Sequence, residues 1–91
     1  MSRIKIRRSH ESGLDKAREA ADEIAGEMGE RFGVTSNWQG DVLAFSHSAV
    51  RGQIQVSEEA IEVDAKLGLL VTPFKAALES RIHDYIDQYL A

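Results

Sequence analysis

The chain contains no cysteine and only one proline, Pro73, among its 91 residues. Without cysteine there can be no disulfide bond, thiolate zinc site, iron–sulfur cluster or cysteine nucleophile. No apolar run approaches the roughly 20 residues that a membrane-spanning helix requires. The basic residues near the N-terminus are not followed by an apolar stretch, so we expect no secretory signal. Together these absences favour a cytoplasmic protein.

What the chain does contain is typical of one small globular domain. Hydrophobic residues make up 43% of the sequence and charged residues 29%, and so short a chain leaves no room for a second core, so we expect a single domain over residues 1–91. The net charge is −4. Residues 1–10 carry four basic residues and no acid, whereas residues 11–33 carry seven acids. This asymmetry indicates charge compensation within the molecule, and the overall negative charge argues against a nucleic-acid partner.

Alternation of apolar and polar residues predicts five strands. In the first, Ile4 and Ile6 face one way and Arg3, Lys5 and Arg7 the other, and the charged side indicates an edge strand. The predicted strands are residues 3–8, 34–38, 42–47, 50–56 and a last one beginning at Ile61. Short connections between the last four make them antiparallel neighbours.

Two segments have the apolar spacing of amphipathic helices. The first runs from Leu14 to Phe32, with Ser12 as its expected N-cap. The second runs from Pro73 to about Leu90, with Thr72 as its N-cap and Pro73 at the first helical position, where the missing N–H costs nothing. Its apolar stripe includes Phe74, Leu78, Ile82, Tyr85 and Tyr89, and His83 is expected on the opposite, solvent side.

The element order is therefore β-α-β-β-β-β-α, which predicts an α+β fold of two layers. Both helices should cover one face of a mainly antiparallel sheet, because each element has one apolar side to bury. The predicted core comprises Leu14, Ile24, Phe45, Ile54, Val63, Leu78 and Ile82. The uncovered face should present Arg3, Lys5, Arg7, Arg51, Gln53, Gln55, Glu62, Asp64 and Lys66.

We find no pattern for catalysis, cofactor binding or metal binding. His10, His47 and His83 lack a second ligand at helical spacing, and His10 is expected to hold its loop by a side-chain hydrogen bond. The run Ser46-His47-Ser48 is interpreted as a turn, because strand neighbours point to opposite faces and cannot exchange a proton. The glycines form no phosphate-binding loop. Gly52 and Gly68 indicate bulges or close packing under a helix.

Three stretches in order carry a family resemblance. They are Arg7-Arg8-x-His10 followed by Gly13-Leu14-x-x-Ala17-Arg18, then Trp38-x-Gly40-Asp41-x-Leu43-x-Phe45, then Lys66-Leu67-Gly68-Leu69-Leu70 leading into Pro73-Phe74-Lys75. On these the chain resembles, over nearly its whole length, the small bacterial proteins of the polyhydroxyalkanoic acid system, encoded near polyester-storage genes. The resemblance implies a link to polyhydroxyalkanoate metabolism and supplies no catalytic residues.

The apolar alternation that begins at Ile61 continues to Val71, further than one small strand needs. One interpretation is core packing with a bulge at Gly68. The other is a candidate interaction patch of Leu67, Leu69, Leu70 and Val71, assisted at an anionic surface by a basic stripe of Arg3, Lys5 and Arg7.

The function expected from these observations is that of a non-enzymatic, cytoplasmic, granule-associated accessory protein. It would act by binding the polyester granule, a granule protein or a second copy of itself as a homodimer. The alternative is a small lipid- or acyl-binding protein, or a minor enzyme, with a pocket between helices and sheet. A cavity lined by Met28, Phe45 and Phe74 with one polar group would favour the alternative, and a packed core with an exposed apolar patch would favour the first.

Overall fold

A computed structural model describes residues 2–90, and the elements follow the predicted order. Met1 and Ala91, the ends of the predicted domain, lie outside this range. The strands are β1 (Ser2–Ser9), β2 (Thr35–Gln39), β3 (Val42–Ser46), β4 (Val50–Val56) and β5 (Ala60–Leu67), and the helices are α1 (Leu14–Phe32) and α2 (Lys75–Tyr89). A single 3₁₀ turn, Thr72–Phe74, precedes α2. The predicted α+β class is confirmed.

The strands form one antiparallel sheet in the order β1-β5-β4-β3-β2. The first strand lies at an edge, as its charged side predicts, and pairs with the last strand. The register aligns Ile6 with Val63, Val63 with Ile54, and Ile54 with Leu43. One apolar row therefore crosses four strands on a single face, and this row is the floor of the core.

Both helices cover that face. Helix α1 contacts β4 and β2, α2 contacts β1, and the two helices contact each other. Ala17, Ala20 and Ala21 of α1 have no exposed surface, because small side chains let the helix approach its support closely. The opposite face, which we call the open face, presents the charged and polar residues that the alternation predicted for it, with Asp64 half-buried and the others exposed or nearly so. The two-layer prediction is confirmed.

The buried apolar residues form one cluster between helices and sheet. It includes Ile24, Phe45, Ile54, Val63, Leu78 and Ile82 as predicted. Leu14 is only half-buried, because it opens α1 at the margin of the sheet. Phe74 is also misplaced by the prediction: it is 48% exposed, since α2 begins only at Lys75. Its ring packs instead against Phe32, with ring centroids 5.9 Å apart.

Both predicted N-caps are wrong. The N-cap of α1 is Gly13, at φ 88°, rather than Ser12. The N-cap of α2 is Phe74 rather than Thr72. Neither Gly13 nor Phe74 makes a side-chain cap hydrogen bond. Thr72 opens the 3₁₀ turn, and its hydroxyl donates backward to the carbonyl of Gly68 at 3.0 Å. Thr72 does not cap α2 because the tight turn after β5 brings the Gly68 carbonyl within reach of its hydroxyl. Pro73 lies in the first positions of the 3₁₀ turn.

Gly52 is required by a close approach between strands. A Cβ atom at this position would lie 2.0 Å from the carbonyl oxygen of Asp64 on β5. The expectation of close packing at Gly52 is confirmed, although the neighbour is a strand backbone and not a helix. Gly68 follows the end of β5 and donates its N–H to the carbonyl of Ala49 at 2.9 Å.

Because neighbouring strands run in opposite directions, the connections between elements lie at two opposite ends of the molecule. The loop between β3 and β4, the segment between β5 and α2, and the end of α1 share one end, which we call the Leu70 end; the Gly68–Ala49 hydrogen bond and the Phe32–Phe74 contact join these segments. The other three connections share the opposite end, which we call the His10 end, where the His10 N–H donates to the Glu59 carbonyl at 2.8 Å.

Candidate functional site

Only two of the four residues of the predicted apolar patch are exposed. Leu69 and Leu70 are 74% and 89% exposed, whereas Leu67 and Val71 are 1% and 3% exposed and belong to the core. Leu67 is the last residue of β5 on the helix-covered face, which explains its burial. The exposed part of the patch is therefore the dipeptide Leu69–Leu70, which we call the leucine tip.

A tight turn projects the leucine tip outward. The N–H groups of Val71 and Thr72 both donate to the carbonyl of Gly68, each at 3.0 Å. Closing the chain over one carbonyl leaves Leu69 and Leu70 at the outside of the turn and directs Val71 into the core. Beside the tip lies a shallow apolar cleft of about 500 Å³, lined also by Ser48 and Ala49.

The predicted basic stripe is exposed on the open face but is largely paired. Arg3 donates to both carboxylate oxygens of Asp64, at 2.8 and 3.4 Å, and Arg7 lies 3.6 Å from Glu62. Only Lys5 of the stripe has no ion pair within residues 2–90.

The sheet assembles a different group of cations. Cross-strand register places Lys66 between Arg3 and Arg51, near the Leu70 end. We call these three residues the basic row. The sequence could not reveal it, because the row runs across strands and not along one.

A half-buried carboxylate joins the two helices. Glu27 of α1, whose side chain is 10% exposed, accepts hydrogen bonds from Arg81 at 3.0 Å and from the Tyr85 hydroxyl at 2.8 Å, both on α2, and from Arg31 one turn along α1. The hydrogen bond from Arg81, followed by those from Tyr85 and Arg31, lowers the pKa of Glu27 from 4.5 to about 2. The Glu27 hydrogen bond likewise raises the pKa of Tyr85.

The sequence pattern does not reveal this cluster. The signals available were the four-residue spacings of Glu27 with Arg31 and of Arg81 with Tyr85, which put each pair on one helix face. Nothing local indicates that the two pairs meet.

An open groove of about 230 Å³ lies beside this cluster, at the Leu70 end of the helix layer. Its apolar lining includes Phe32, Phe74 and Ala77, and Arg31, Ser80 and Arg81 supply polar groups. We call it the Phe74 groove. The narrower crevice that adjoins Met28 has no room for a water-sized molecule, and Met28 and Phe45 are buried in the core. The pocket that the acyl-binding alternative requires does not form around these two residues.

The three histidines have structural partners. His10, only 8% exposed, accepts from the N–H of Ser12 through Nδ1 at 3.2 Å, so its Nε2 donates to the carbonyl of Ser57 at 3.1 Å. This confirms that His10 holds its loop. His47 accepts from the Ala49 N–H at 3.0 Å, within the predicted turn.

His83 does not point to solvent as predicted. It is half-buried, and its Nδ1 accepts from Arg8 of β1 at 3.1 Å. Arg8 also binds Asp87 at 2.6 Å, so the end of α2 is held to the edge strand. Within residues 2–90 there is no cluster of three acidic or histidine side chains that could hold a metal ion.

Two of the three stretches that carry the family resemblance meet in space at the His10 end. The guanidinium of Arg18 lies 3.9 Å from the ring centroid of Trp38, and it donates to the carbonyl of Gly40 at 3.0 Å and to Asp41 at 3.1 Å. The Trp38 indole N–H donates to Asp22 at 2.9 Å. Two motifs from separate stretches thus form one structural unit that fastens the β2–β3 hairpin to α1.

Neither helix is long and apolar enough to cross a membrane over the residues that the structure describes. No curated protein and no solved structure matches the chain significantly. One family model matches residues 4–90 and is described as "Putative polyhydroxyalkanoic acid system protein". Since this match covers almost every residue of the chain, including all three motif stretches, the chain belongs to this polyhydroxyalkanoic acid system family.

Proposed function

We propose that the chain is a non-enzymatic accessory protein of polyhydroxyalkanoate storage that binds the hydrophobic granule surface through the leucine tip. The observation that carries the proposal is the exposure of Leu69 and Leu70, at 74% and 89%. Apart from these two, Phe74 is the only large apolar side chain exposed within residues 2–90. All three lie at the Leu70 end, so the apolar surface available to a partner is concentrated there.

The energy available from the tip suits reversible attachment. Burying one leucine side chain stabilises an interface by about 1.5–3 kcal/mol, so the tip contributes about 3–6 kcal/mol. The loss of translational and rotational freedom on association consumes much of this amount. The basic row, Arg3, Lys66 and Arg51, lies on the open face near the same end. Although Arg3 is paired with Asp64, the row would add attraction to an anionic surface, which salt would screen.

The proposal treats the chain as non-catalytic because its strongest polar interactions hold the fold together. Glu27 joins α1 to α2, His10 closes the loop before α1, and His83 receives a hydrogen bond from Arg8. An acid, base or nucleophile must instead present a free reactive atom to a substrate. Both carboxylate oxygens of Glu27 and both ring nitrogens of His10 are used in internal hydrogen bonds, and Nδ1 of His83 accepts from Arg8.

The test compares a polar and an apolar double substitution at the tip. Leu69→Ser with Leu70→Ser removes the apolar surface, and Leu69→Met with Leu70→Met retains it as the matched control. Both variants should fold, because neither side chain is in the core, and circular dichroism verifies this. In sedimentation with purified polyester granules, we expect the serine variant to lose most of its bound fraction and the methionine variant to bind like the parent.

Two outcomes contradict the proposal. If the folded serine variant sediments with granules as the parent does, the tip does not contact them. If the serine substitutions instead convert a parent dimer to a monomer by analytical ultracentrifugation and leave granule binding unchanged, the tip is an interface between two copies.

A further inference from the structure

The Phe74 groove combines an apolar wall with fixed cationic groups, and the leucine tip plays no part in it. Phe32 and Phe74 stand at one side with ring centroids 5.9 Å apart, and Arg31 and Arg81 provide the polar side. The side chains of both arginines are about half exposed, at 51% and 48%. A ligand in the groove could therefore reach both kinds of surface.

Glu27 orients the two guanidinium groups without consuming them. It engages Arg31 through Nε and Arg81 through Nη2. A guanidinium carries five N–H donors, so each arginine keeps donors for another acceptor. Two positive charges and one carboxylate leave a single net positive charge beside the apolar wall.

We propose that the Phe74 groove binds a short aliphatic monocarboxylate, with its carboxylate on Arg31 and Arg81 and its hydrocarbon chain against Phe32, Phe74 and Ala77. The net charge of the cluster matches one anion. The forked guanidinium geometry suits a planar carboxylate better than a point charge. The hydrogen bonds from Glu27 hold the arginines in place before the ligand arrives, which reduces the entropy lost on binding.

The volume of the groove indicates how much of a ligand it can cover. At about 30 Å³ per water-sized group, 230 Å³ holds about seven or eight non-hydrogen atoms, the size of an acid with roughly five carbons. Acetate is too short to reach both the arginines and the aromatic rings. A much longer chain would leave the groove.

The experiment follows backbone amide shifts of the isotope-labelled protein during titration with sodium pentanoate. We expect saturable shifts confined to residues around Arg31, Phe74 and Ser80. Acetate and inorganic phosphate should bind at least about tenfold more weakly, because each lacks the chain that contacts the rings. Methyl pentanoate should also bind at least about tenfold more weakly, because it lacks the charge. Dodecanoate tests the length limit, and its shifts should not extend to Leu69 and Leu70.

Matched variants identify the site. Ala77→Phe fills the groove and should abolish the shifts, whereas Ala76→Phe, on the adjacent exposed position of α2, should bind like the parent. Arg31→Gln should weaken binding about tenfold. Lys16→Gln, which removes the same charge near the other end of α1, should leave it unchanged. None of these substitutions touches the core.

Three results overturn the inference. They are equal affinity for pentanoate and its methyl ester, equal affinity for pentanoate and phosphate, and unaltered binding by the folded Ala77→Phe variant. Granule sedimentation is measured separately, so the groove and the leucine tip can fail independently of each other.

Discussion

Replacing Glu27 with glutamine tests the contact that joins the two helices. The amide keeps the size of the side chain but loses the negative charge that pairs with Arg31 and Arg81. The fall in the pKa of Glu27 from 4.5 to about 2 corresponds to about 3 kcal/mol at 1.36 kcal/mol per pH unit, as an upper bound. Solvent screens the two half-exposed arginines, so we expect Glu27→Gln to lower the free energy of unfolding at pH 7 by about 1–2 kcal/mol.

The pH dependence gives the sharper measurement. The pKa of Glu27 is lower in the folded chain than in the unfolded chain, so its contribution is fully present above about pH 4.5 and disappears as the pH falls towards about 2. We therefore expect the stability difference between parent and Glu27→Gln, measured by urea denaturation with circular dichroism, to be constant from pH 7 to about 5 and to shrink towards zero near pH 2.

Glu30→Gln is the matched control, since it removes the same charge from an exposed position of α1. Its effect should stay within about 0.5 kcal/mol at neutral pH. A stability difference between parent and Glu27→Gln that does not change with pH would refute the electrostatic reasoning. It would assign the effect of Glu27 to packing alone.

Three further substitutions test backbone and loop contacts, with thermal and urea denaturation as the measurements. Gly52→Ala should destabilise the domain by more than about 2 kcal/mol, because its Cβ would overlap the Asp64 carbonyl. As a control, Gly26→Ala on the exposed surface of α1 should stabilise the domain by about 0.5–1 kcal/mol. Stability changes of the same sign in the two variants would contradict this reasoning. His10→Phe keeps the bulk but removes the partner of the Ser57 carbonyl and should cost about 1–3 kcal/mol. An unchanged melting temperature for His10→Phe would mean that its hydrogen bonds contribute no net stability.

The elements and layers of this domain could be predicted from the sequence because they depend on local periodicity. Alternation in residues 3–8 and 50–56 identifies which side of each strand is apolar, and the spacing of Ile24 with Met28 does the same for α1. Each face that must be buried limits how the elements can pack, and five strands with two one-sided helices allow few arrangements. The hydrogen bond between Ser12 and His10 is also local, because the two residues belong to one loop, whereas the bond from His10 to the Ser57 carbonyl depends on the fold.

The predictions for the apolar patch and for the Thr72 cap were wrong because they depended on atoms that come together only in the folded chain. The alternation from Ile61 to Val71 does not reveal that the carbonyl of Gly68 closes a turn, and this turn buries Val71 while exposing Leu69 and Leu70. The same carbonyl takes the Thr72 hydroxyl that sequence assigned to a helix cap.

The electrostatic sites belong to tertiary structure for the same reason. Glu27 and Arg81 are 54 residues apart, and the basic row unites residues from three strands. The sequence by itself determined which side of each element is buried, because side-chain direction follows from the period of helix and strand. Only the packing of one element on another decided which charges meet and which apolar residues stay exposed, because those depend on distances between segments that are remote along the chain.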